Sequence, residues 1–309
     1  MFTKEKQEKE YMISVALASF NGMPFIEEQI DSILEQTYSH IELVVCDDCS
    51  ADATWDVLLR YMKKDSRVRA YRNEKRLGVV RNFEKAISLC QGDYVALSDQ
   101  DDVWLPNHIT LLLDNIGNKD ISCGNAKVSE PNGKLADMTM KDFSHLDYVP
   151  DNDLEKAWSI IFYRNAYQGS TMMLRKSFIQ RALPIPDGTY LHDAWFAHLA
   201  CFCQGISYFN DVISIYRRHG DNASPMKRIS ILPRIVALGA QMRPRNAMTY
   251  NKERIIDNLI DVLAQPTPEQ SELLRLAKMF YLRKNTSFGR VKNFCFQLRH
   301  FNKIFSVKE

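Results

Sequence analysis

The sequence predicts an α/β fold: a mainly parallel central sheet flanked by helices, followed by a helical extension at the carboxyl end. Three observations point there. Through the first 130 residues, short apolar runs alternate with longer segments of helical period, and runs without inner alternation suit strands covered on both faces. The runs end in polar or acidic residues, Asn21, Asp47-Asp48 and Asp99–Asp102, at the strand ends where parallel α/β sheets collect ligands. From residue 226 onward the pattern is helical, and the charge changes sign.

In chain order, Ile13–Phe20 reads as the first buried strand, and Pro24 opens a helix striped by Ile26, Ile30, Ile33 and Leu34. Ile41–Cys46 is the second strand. Ser50 or Asp52 caps the next helix, whose expected stripe is Trp55, Leu58, Leu59 and Met62. Val68–Tyr71 forms a third strand, Val79–Leu89 a third helix, and Tyr94–Leu97 a fourth strand running into Asp99–Asp102. Asn107–Asn115 is helical. Ile121–Val128 with the Pro131–Lys134 turn suggests a strand and hairpin, while 135–153 reads as a polar, irregular loop or lid. Thr171–Leu174 and Ile206–Tyr216 are strands, separated by a helix that begins near His192-Asp193 and carries Trp195, Phe196, Leu199 and Phe202.

The 309 residues are 45% hydrophobic and 25% charged, enough for a sizeable core and unlike a low-complexity chain. The longest apolar run falls short of a membrane span. Seven scattered cysteines suit a reducing compartment, and the evenly charged segment before Met12 is unlike a signal peptide; the expected location is cytoplasmic. The net charge of +2 hides 16 basic against 6 acidic residues from Met226 onward, and 24 against 32 before it. A basic end suits an anionic partner, nucleic acid or lipid. Within that end, Phe288, Val291, Phe294, Phe296, Leu298, Phe301, Ile304 and Phe305 alternate with Arg290, Lys292, Arg299 and Lys303. That pattern suits a helix lying in a membrane interface, or equally one packed on the body with a solvated basic face.

Several side chains bear on chemistry. Asp99, Asp101 and Asp102 repel one another unless something offsets their charge. Mg²⁺ or Mn²⁺ does so, taking one or two carboxylates and completing its shell with phosphate oxygens and water; the alternative is an acidic loop capping the helix at Asn107. Asp47 and Asp48 can accept from a nucleobase imide or a ribose hydroxyl, or cap the following helix. Gly78, Arg81 and Asn82 place donors at a helix start, where phosphates are favoured, although Arg81 equally suits a surface ion pair. Asp193 is the candidate catalytic base, against a structural N-cap role. His219 is a candidate metal or diphosphate ligand, against a satisfied structural histidine. Cys46 with Cys49, and Cys201 and Cys203 with His198, are incomplete as metal sites and read as structural. Nucleophile-elbow, HExxH and Walker-type motifs are absent.

Five pieces in order, Val15–Asn21, Val44–Thr54, Asn73, Gly78–Asn82 and Ser98–Trp104, together resemble the inverting family 2 glycosyltransferases with the nucleotide-sugar-binding GT-A fold. Gly169–Met173, Leu191–Trp195 and Tyr216–Asn222 look most like the bacterial rhamnosyltransferase branch. The resemblance covers about 13–220. It divides the chain into a GT-A domain at 1–225, with a nucleotide-binding half at about 11–130 and an acceptor half at about 131–225, and a basic helical extension at 226–309. It implies that Ser19, Asn21 and Asp47 or Asp48 hold the nucleoside, with Arg81, Asp99 and Gln100 on the donor. Asp99 and Asp101 match the DxD motif, with Asp101 touching the metal, Mn²⁺ or Mg²⁺, and His219 as a further ligand. Asp193 matches the base, and Asp102, Trp104, His192 and Trp195 lie near acceptor or sugar. Cys49 stands where the family usually has Gly, and is expected to change the turn but not the chemistry.

The implied activity is metal-dependent transfer of a sugar, first L-rhamnose from dTDP-β-L-rhamnose and alternatively glucose or galactose from a UDP-sugar. The implied acceptor is a surface polysaccharide or lipid-linked glycan of the O-antigen or capsule kind. The basic tail would then serve peripheral contact with the anionic inner face of the membrane; a nucleic-acid partner lacks any motif. A nucleotide-binding module without turnover is a rival, opposed by the joint presence of Asp99, Asp101 and Asp193. A nucleotidyltransferase is opposed by the missing Gly-rich basic loop.

Overall fold

The computed structural model describes residues 10–144, 149–163, 165–219, 247–283, 287–300 and 303–304. Strands β1 (Ile13–Ser19), β2 (Ile41–Asp47), β3 (Val68–Arg72) and β4 (Tyr94–Asp99) are mutually parallel. They are joined by α1 (Ile26–Leu34), α2 (Thr54–Lys64) and α3 (Val79–Ser88). Then come β5 (Val103–Trp104), α4 (His108–Ile116), β6 (Ile121–Ser129), β7 (Leu135–Thr139), α5 (Met140–Ser144) and α6 (Asp153–Phe162). The body closes with β8 (Met172–Arg175), α7 (Lys176–Ala182), α8 (His192–Cys201) and β9 (Ile206–Arg217). The sheet runs β3-β2-β1-β4-β8-β6-β9-β5, with β7 paired to β6. It is mixed: the first four strands are parallel as the pattern predicts, and β8 enters antiparallel to both β4 and β6.

Alternation along each strand separates two apolar layers. Ile13, Val15 and Leu17 of β1 face Ile26, Ile30 and Ile33 of α1, whose spacing keeps them on one stripe. Ala16 and Cys46 face the other way, toward Phe83 and Ala86 of α3 and Phe196 of α8. In α2 the buried stripe is Thr54, Val57, Leu58 and Tyr61, whereas Leu59 and Met62, expected inside, are exposed. The helix is rotated so that the Tyr61 hydroxyl reaches Asp31 at 2.7 Å.

Part of the stretch read as an irregular lid is regular: 135–144 form β7, on the hairpin with β6, and the short α5. The strand signal was weak because β7 is a largely exposed edge, with Leu135 half in solvent. Helices α6 and α7 were also missed. Asn152 caps α6, its Oδ1 accepting from the Leu154 and Glu155 amides at 2.8 and 3.2 Å.

The tail adds α9 (Ala247–Val262), α10 (Pro268–Arg283) and α11 (Ser287–Arg299). Ile255, Ile256, Leu259, Leu273, Leu274, Ala277, Phe280 and Ile304 join the same apolar layer as Trp158 and Phe162 of α6, with Phe294 and Phe296 packed against it. These side chains thus follow the packed reading. Phe301 and Phe305 lie outside the described residues, and Phe288, Val291 and Leu298 are exposed.

A helix end leaves its last carbonyls without intrahelical partners, and at α6 the three tail helices supply donors. Lys252 Nζ of α9 donates to the carbonyls of Ile160, Ile161 and Tyr163 at 2.8, 3.0 and 3.0 Å. The Tyr281 hydroxyl of α10 donates to Ile161, and Gln297 Nε2 of α11 donates to Phe162 at 3.1 Å.

Candidate active site

Register brings the site together. Ser19 lies opposite Asp47, Ala18 opposite Asp99, and Asp47 opposite Arg72, so the carboxyl ends of four parallel strands finish at one level. Because β8 runs antiparallel to β4, the Gly169–Thr171 turn before it arrives beside the end of β4. Because β5 runs antiparallel to β9, the end of β9 returns to the acidic loop before β5, and His219 meets Asp101.

At the end of β2, the two adjacent carboxylates are heavily used by the protein itself. Asp47 accepts from the Ser50 hydroxyl, the Ser50 amide at 3.1 Å and the Ser19 hydroxyl at 3.3 Å, with Arg72 Nε at 3.5 Å. Asp48 accepts from Asn73 Nδ2 and from the Leu77 and Gly78 amides, at 2.8, 2.7 and 2.8 Å. A carboxylate has about four acceptor positions, so Asp47 is filled and Asp48 keeps one, on Oδ2. Asn21 has φ +49° and accepts from the Ala51 amide at 2.8 Å.

Cys49 takes φ +63°, the left-handed geometry that favours glycine. The backbone conformation is thus one that glycine adopts without strain, and the Cys49 thiol donates to the Asn73 carbonyl at 3.1 Å. Arg81 pairs with Glu84 and Asp187 and donates to the Ile185 carbonyl at 2.7 Å, which ties α3 to the loop before α8.

Gln100 clamps the backbone of Phe20, accepting from its amide at 2.8 Å and donating to its carbonyl at 3.0 Å. The Arg76 guanidinium lies 3.8 Å over the Phe20 ring. The sequence reading missed Phe20 and Arg76; an aromatic directly after a buried strand was the available signal.

The acidic centre joins Asp99, Asp101, Asp102 and Asp193. Burial, then the neighbouring Asp101, Asp102 and Asp193 carboxylates, hold the Asp99 carboxyl well above its usual range. Burial and Asp101 raise Asp102 too, against a smaller opposing pull from the Ser170 hydroxyl and the Arg217 backbone. Asp101 Oδ2 is 2.8 Å from His219 Nε2, and the His219 ring stacks on Phe25 at 4.9 Å. Asp193 sits in the first turn of α8, accepting from the Gly169 amide at 3.3 Å and the Ala194 amide at 2.6 Å, and burial pushes its carboxyl up to about 6.

Gly169 is required here: a Cβ on it would stand 2.9 Å from His192 Nε2. His192 itself is buried on Phe83, ring centroids 3.8 Å apart, and burial lowers it to about 3. Trp195, expected near the acceptor, lies in the core and donates to the Ala182 carbonyl at 2.9 Å. Two residues along a helix turn by about 200°, so it must face away from Asp193. Trp104, expected there also, is buried against His108, with ring centroids 3.7 Å apart. Cys46 is buried and its thiol pushed up to about 11, an inert group in keeping with its structural reading.

Among the described residues no three His, Cys, Asp or Glu side chains already surround one point as a metal cage. The donor set nevertheless fits a hard divalent cation that takes one or two carboxylates and fills its shell from phosphate oxygens and water. Asp99 and Asp101 are crowded carboxylates of that kind, and His219 adds an imidazole in contact with Asp101.

Comparison with known proteins agrees with this geometry. Residues 14–181 match the model of Glycosyl transferase family 2. The chain is 39% identical over 93 residues to the putative teichuronic acid biosynthesis glycosyltransferase TuaG of Bacillus subtilis, covering 30% of this chain and 37% of that protein. It is 34% identical over 99 residues to the Escherichia coli UDP-Glc:alpha-D-GlcNAc-diphosphoundecaprenol beta-1,3-glucosyltransferase WfaP, covering 32% and 39%. These matches span about two-fifths of the relatives' length.

In structure, S. aureus TarS 1-349 in complex with UDP-GlcNAc superimposes with a TM-score of 0.61 at 17% identity, over 95% of this chain and 78% of that one. The mannosyltransferase PcManGT from Pyrobaculum calidifontis, in complex with GDP-Man and Mn2+, gives 0.58 at 15% identity, over 94% and 76%. These neighbours share the GT-A fold with this chain. With strand order, acidic centre and family match in agreement, the chain belongs to glycosyl transferase family 2.

Proposed function

We propose that this chain moves a hexose from a nucleoside-diphosphate sugar to a hydroxyl of a lipid-linked or surface glycan, with inversion at the anomeric carbon. The convergence of Asp193 with Asp99, Asp101 and Asp102 at the strand ends carries this reading. The Asp193 carboxylate takes the acceptor hydroxyl's proton as that oxygen bonds to the anomeric carbon. The bond from that carbon to the diphosphate oxygen breaks on the opposite side, and the nucleoside diphosphate leaves with the electron pair. A carboxyl raised to about 6 is still ionised at neutral pH and more basic than an ordinary aspartate, as a general base requires. The Gly169 and Ala194 amides fix its direction. Asp101 and His219, with Asp99, would hold Mn²⁺ or Mg²⁺, which acts as a Lewis acid toward the departing diphosphate.

Phe20, Asn21 and the free acceptor position of Asp48 line the nucleoside side of this reading. The name of WfaP, with its UDP-Glc donor and diphosphoundecaprenol-linked GlcNAc acceptor, supports a UDP-hexose and a lipid-borne acceptor here. dTDP-β-L-rhamnose is the competing donor, supported by the resemblance of 169–173, 191–195 and 216–222. Thermal-shift titration with UDP, dTDP and GDP, each with Mn²⁺ or with EDTA, tests the reading. Metal-dependent stabilisation by UDP is expected. A preference for dTDP would move the donor to rhamnose, and no shift with any of the three would overturn the donor site.

A further inference from the structure

Helix α11 carries apolar side chains on both of its faces. Inward, Phe294 and Phe296 pack on the core beside Asn293, which is 0% exposed and donates to the Phe280 carbonyl at 2.6 Å, and Gln297, which is 1% exposed and caps α6. Its outward face is apolar, with Phe288 69%, Val291 43% and Leu298 49% exposed. Their spacing, together with the exposed Cys295, keeps them within one arc of a helix of 3.6 residues per turn. Lys292 and Arg299 border that arc on the same side, with Lys303 exposed just beyond the helix. Lys292 Nζ lies 4.5 Å over the Phe288 ring, holding cation and aromatic side by side.

We infer that this face of α11 is a docking surface for an anionic lipid bilayer. An apolar strip edged by cations matches the boundary between acyl chains and acidic headgroups. Charge also decides against a second copy of the chain: a two-fold contact would place Lys292, Arg299 and Lys303 near their own counterparts. The proposal deepens the reading of a lipid-borne acceptor and rests on it for its purpose, though not for its geometry. No helix among the described residues is long and apolar enough to cross a membrane, so contact through this face would be peripheral.

The test uses the full chain, because the tail helices cap α6 and truncation would uncover it. Cosedimentation is measured with vesicles of phosphatidylcholine alone and of equal parts phosphatidylcholine and phosphatidylglycerol. The wild type should bind the anionic vesicles at least about tenfold more tightly, given about fivefold per basic side chain near the surface. The double variant Phe288→Ser, Leu298→Ser should lose about tenfold or more of that binding, while Leu135→Ser, an exposed apolar residue on β7, should lose none. Lys292→Glu with Arg299→Glu should abolish the preference for anionic vesicles.

Equal binding by wild type and the double serine variant, or no vesicle binding at all, would overturn the proposal. So would a dimer of the wild type that the serine variant abolishes, which would make the occupant a second copy. Nucleotide thermal shifts run on the same variants should match the wild type. Vesicle binding without any nucleotide shift would sink the donor reading alone, and the converse would sink the docking surface alone.

Discussion

Replacing Asp193 by Asn separates the cost of a poised base from its use. In the wild type the folded chain keeps the Asp193 proton up to about pH 6, whereas the unfolded chain releases it near pH 4. Between those values the folded state binds more protons, so this group's contribution to stability falls as pH rises from about 4 to about 6 and stays low above. The displacement corresponds to at most about 3 kcal/mol. Asn escapes that penalty but has one acceptor oxygen where Asp193 serves both the Gly169 and Ala194 amides. That loss costs about 1–3 kcal/mol at every pH.

The constant cost cancels when the two proteins are compared across pH. At about 2.1 cal/mol/K of unfolding entropy per residue, a chain this long moves about 1.5 °C per kcal/mol. About 2 kcal/mol of the displacement falls between pH 4.5 and 7.5, so the Tm of Asp193→Asn minus that of the wild type should climb by about 3 °C across that window. Asp193 also helps raise Asp99, and its removal acts in the same direction. Transfer activity of the variant should be absent, with donor binding retained, and wild-type kcat/KM should fall about tenfold per pH unit below pH 6. A Tm difference that stays flat with pH would refute the raised carboxyl. Retained transfer would remove Asp193 as the base.

Three further outcomes are expected. Asp101→Ala should weaken Mn²⁺-dependent binding of the nucleoside diphosphate by tenfold or more; unchanged affinity and metal dependence in a thermal-shift titration would end the metal assignment. Asp48→Ala leaves the Leu77 and Gly78 amides without their acceptor and takes from Asn73 Nδ2 one of its two, Asn82 Oδ1 remaining, and should cost about 2–4 kcal/mol by denaturant unfolding; a loss below about 0.5 kcal/mol would show the brace to be dispensable. Cys49→Gly relieves a left-handed residue at φ +63°, which costs about 1–2 kcal/mol, against about 0.5–1 kcal/mol of added chain entropy. Its Tm should be equal to or slightly above wild type with activity unchanged, and a fall of several degrees would show the thiol's bond to Asn73 to be the larger effect.

The parallel half of the fold was legible because its signals are local: apolar runs, helical stripes and acids placed directly at strand ends. The acidic residues could be named for the same reason. What remained hidden depends on register and rotation. Whether Asp48 faces a ligand or the 77–78 backbone is decided by where β2 ends relative to α3, and whether Trp195 faces the site is decided by the phase of α8. Leu59 and Met62 look like core by type, yet the rotation of α2 that brings Tyr61 to Asp31 turns them out. The helix α6 carried only the Asn152 cap as a signal, inside a stretch whose weak alternation belonged to the exposed edge strand β7. Gln100 is legible as polar, but its clamp on Phe20 joins residues 80 positions apart.

The shared capping of α6 has a consequence for synthesis of the chain. Domains ordinarily fold as they leave the ribosome, amino-terminal part first, at about 5–20 residues per second. The four parallel strands can complete their pairing within the first hundred residues, but the carbonyls at the end of α6 acquire their donors from Lys252, Tyr281 and Gln297 in turn. The layer that packs around α6 is therefore finished last, after nearly the whole chain has emerged, and a ribosome that stalls in the tail would present four paired parallel strands beside an open helix end.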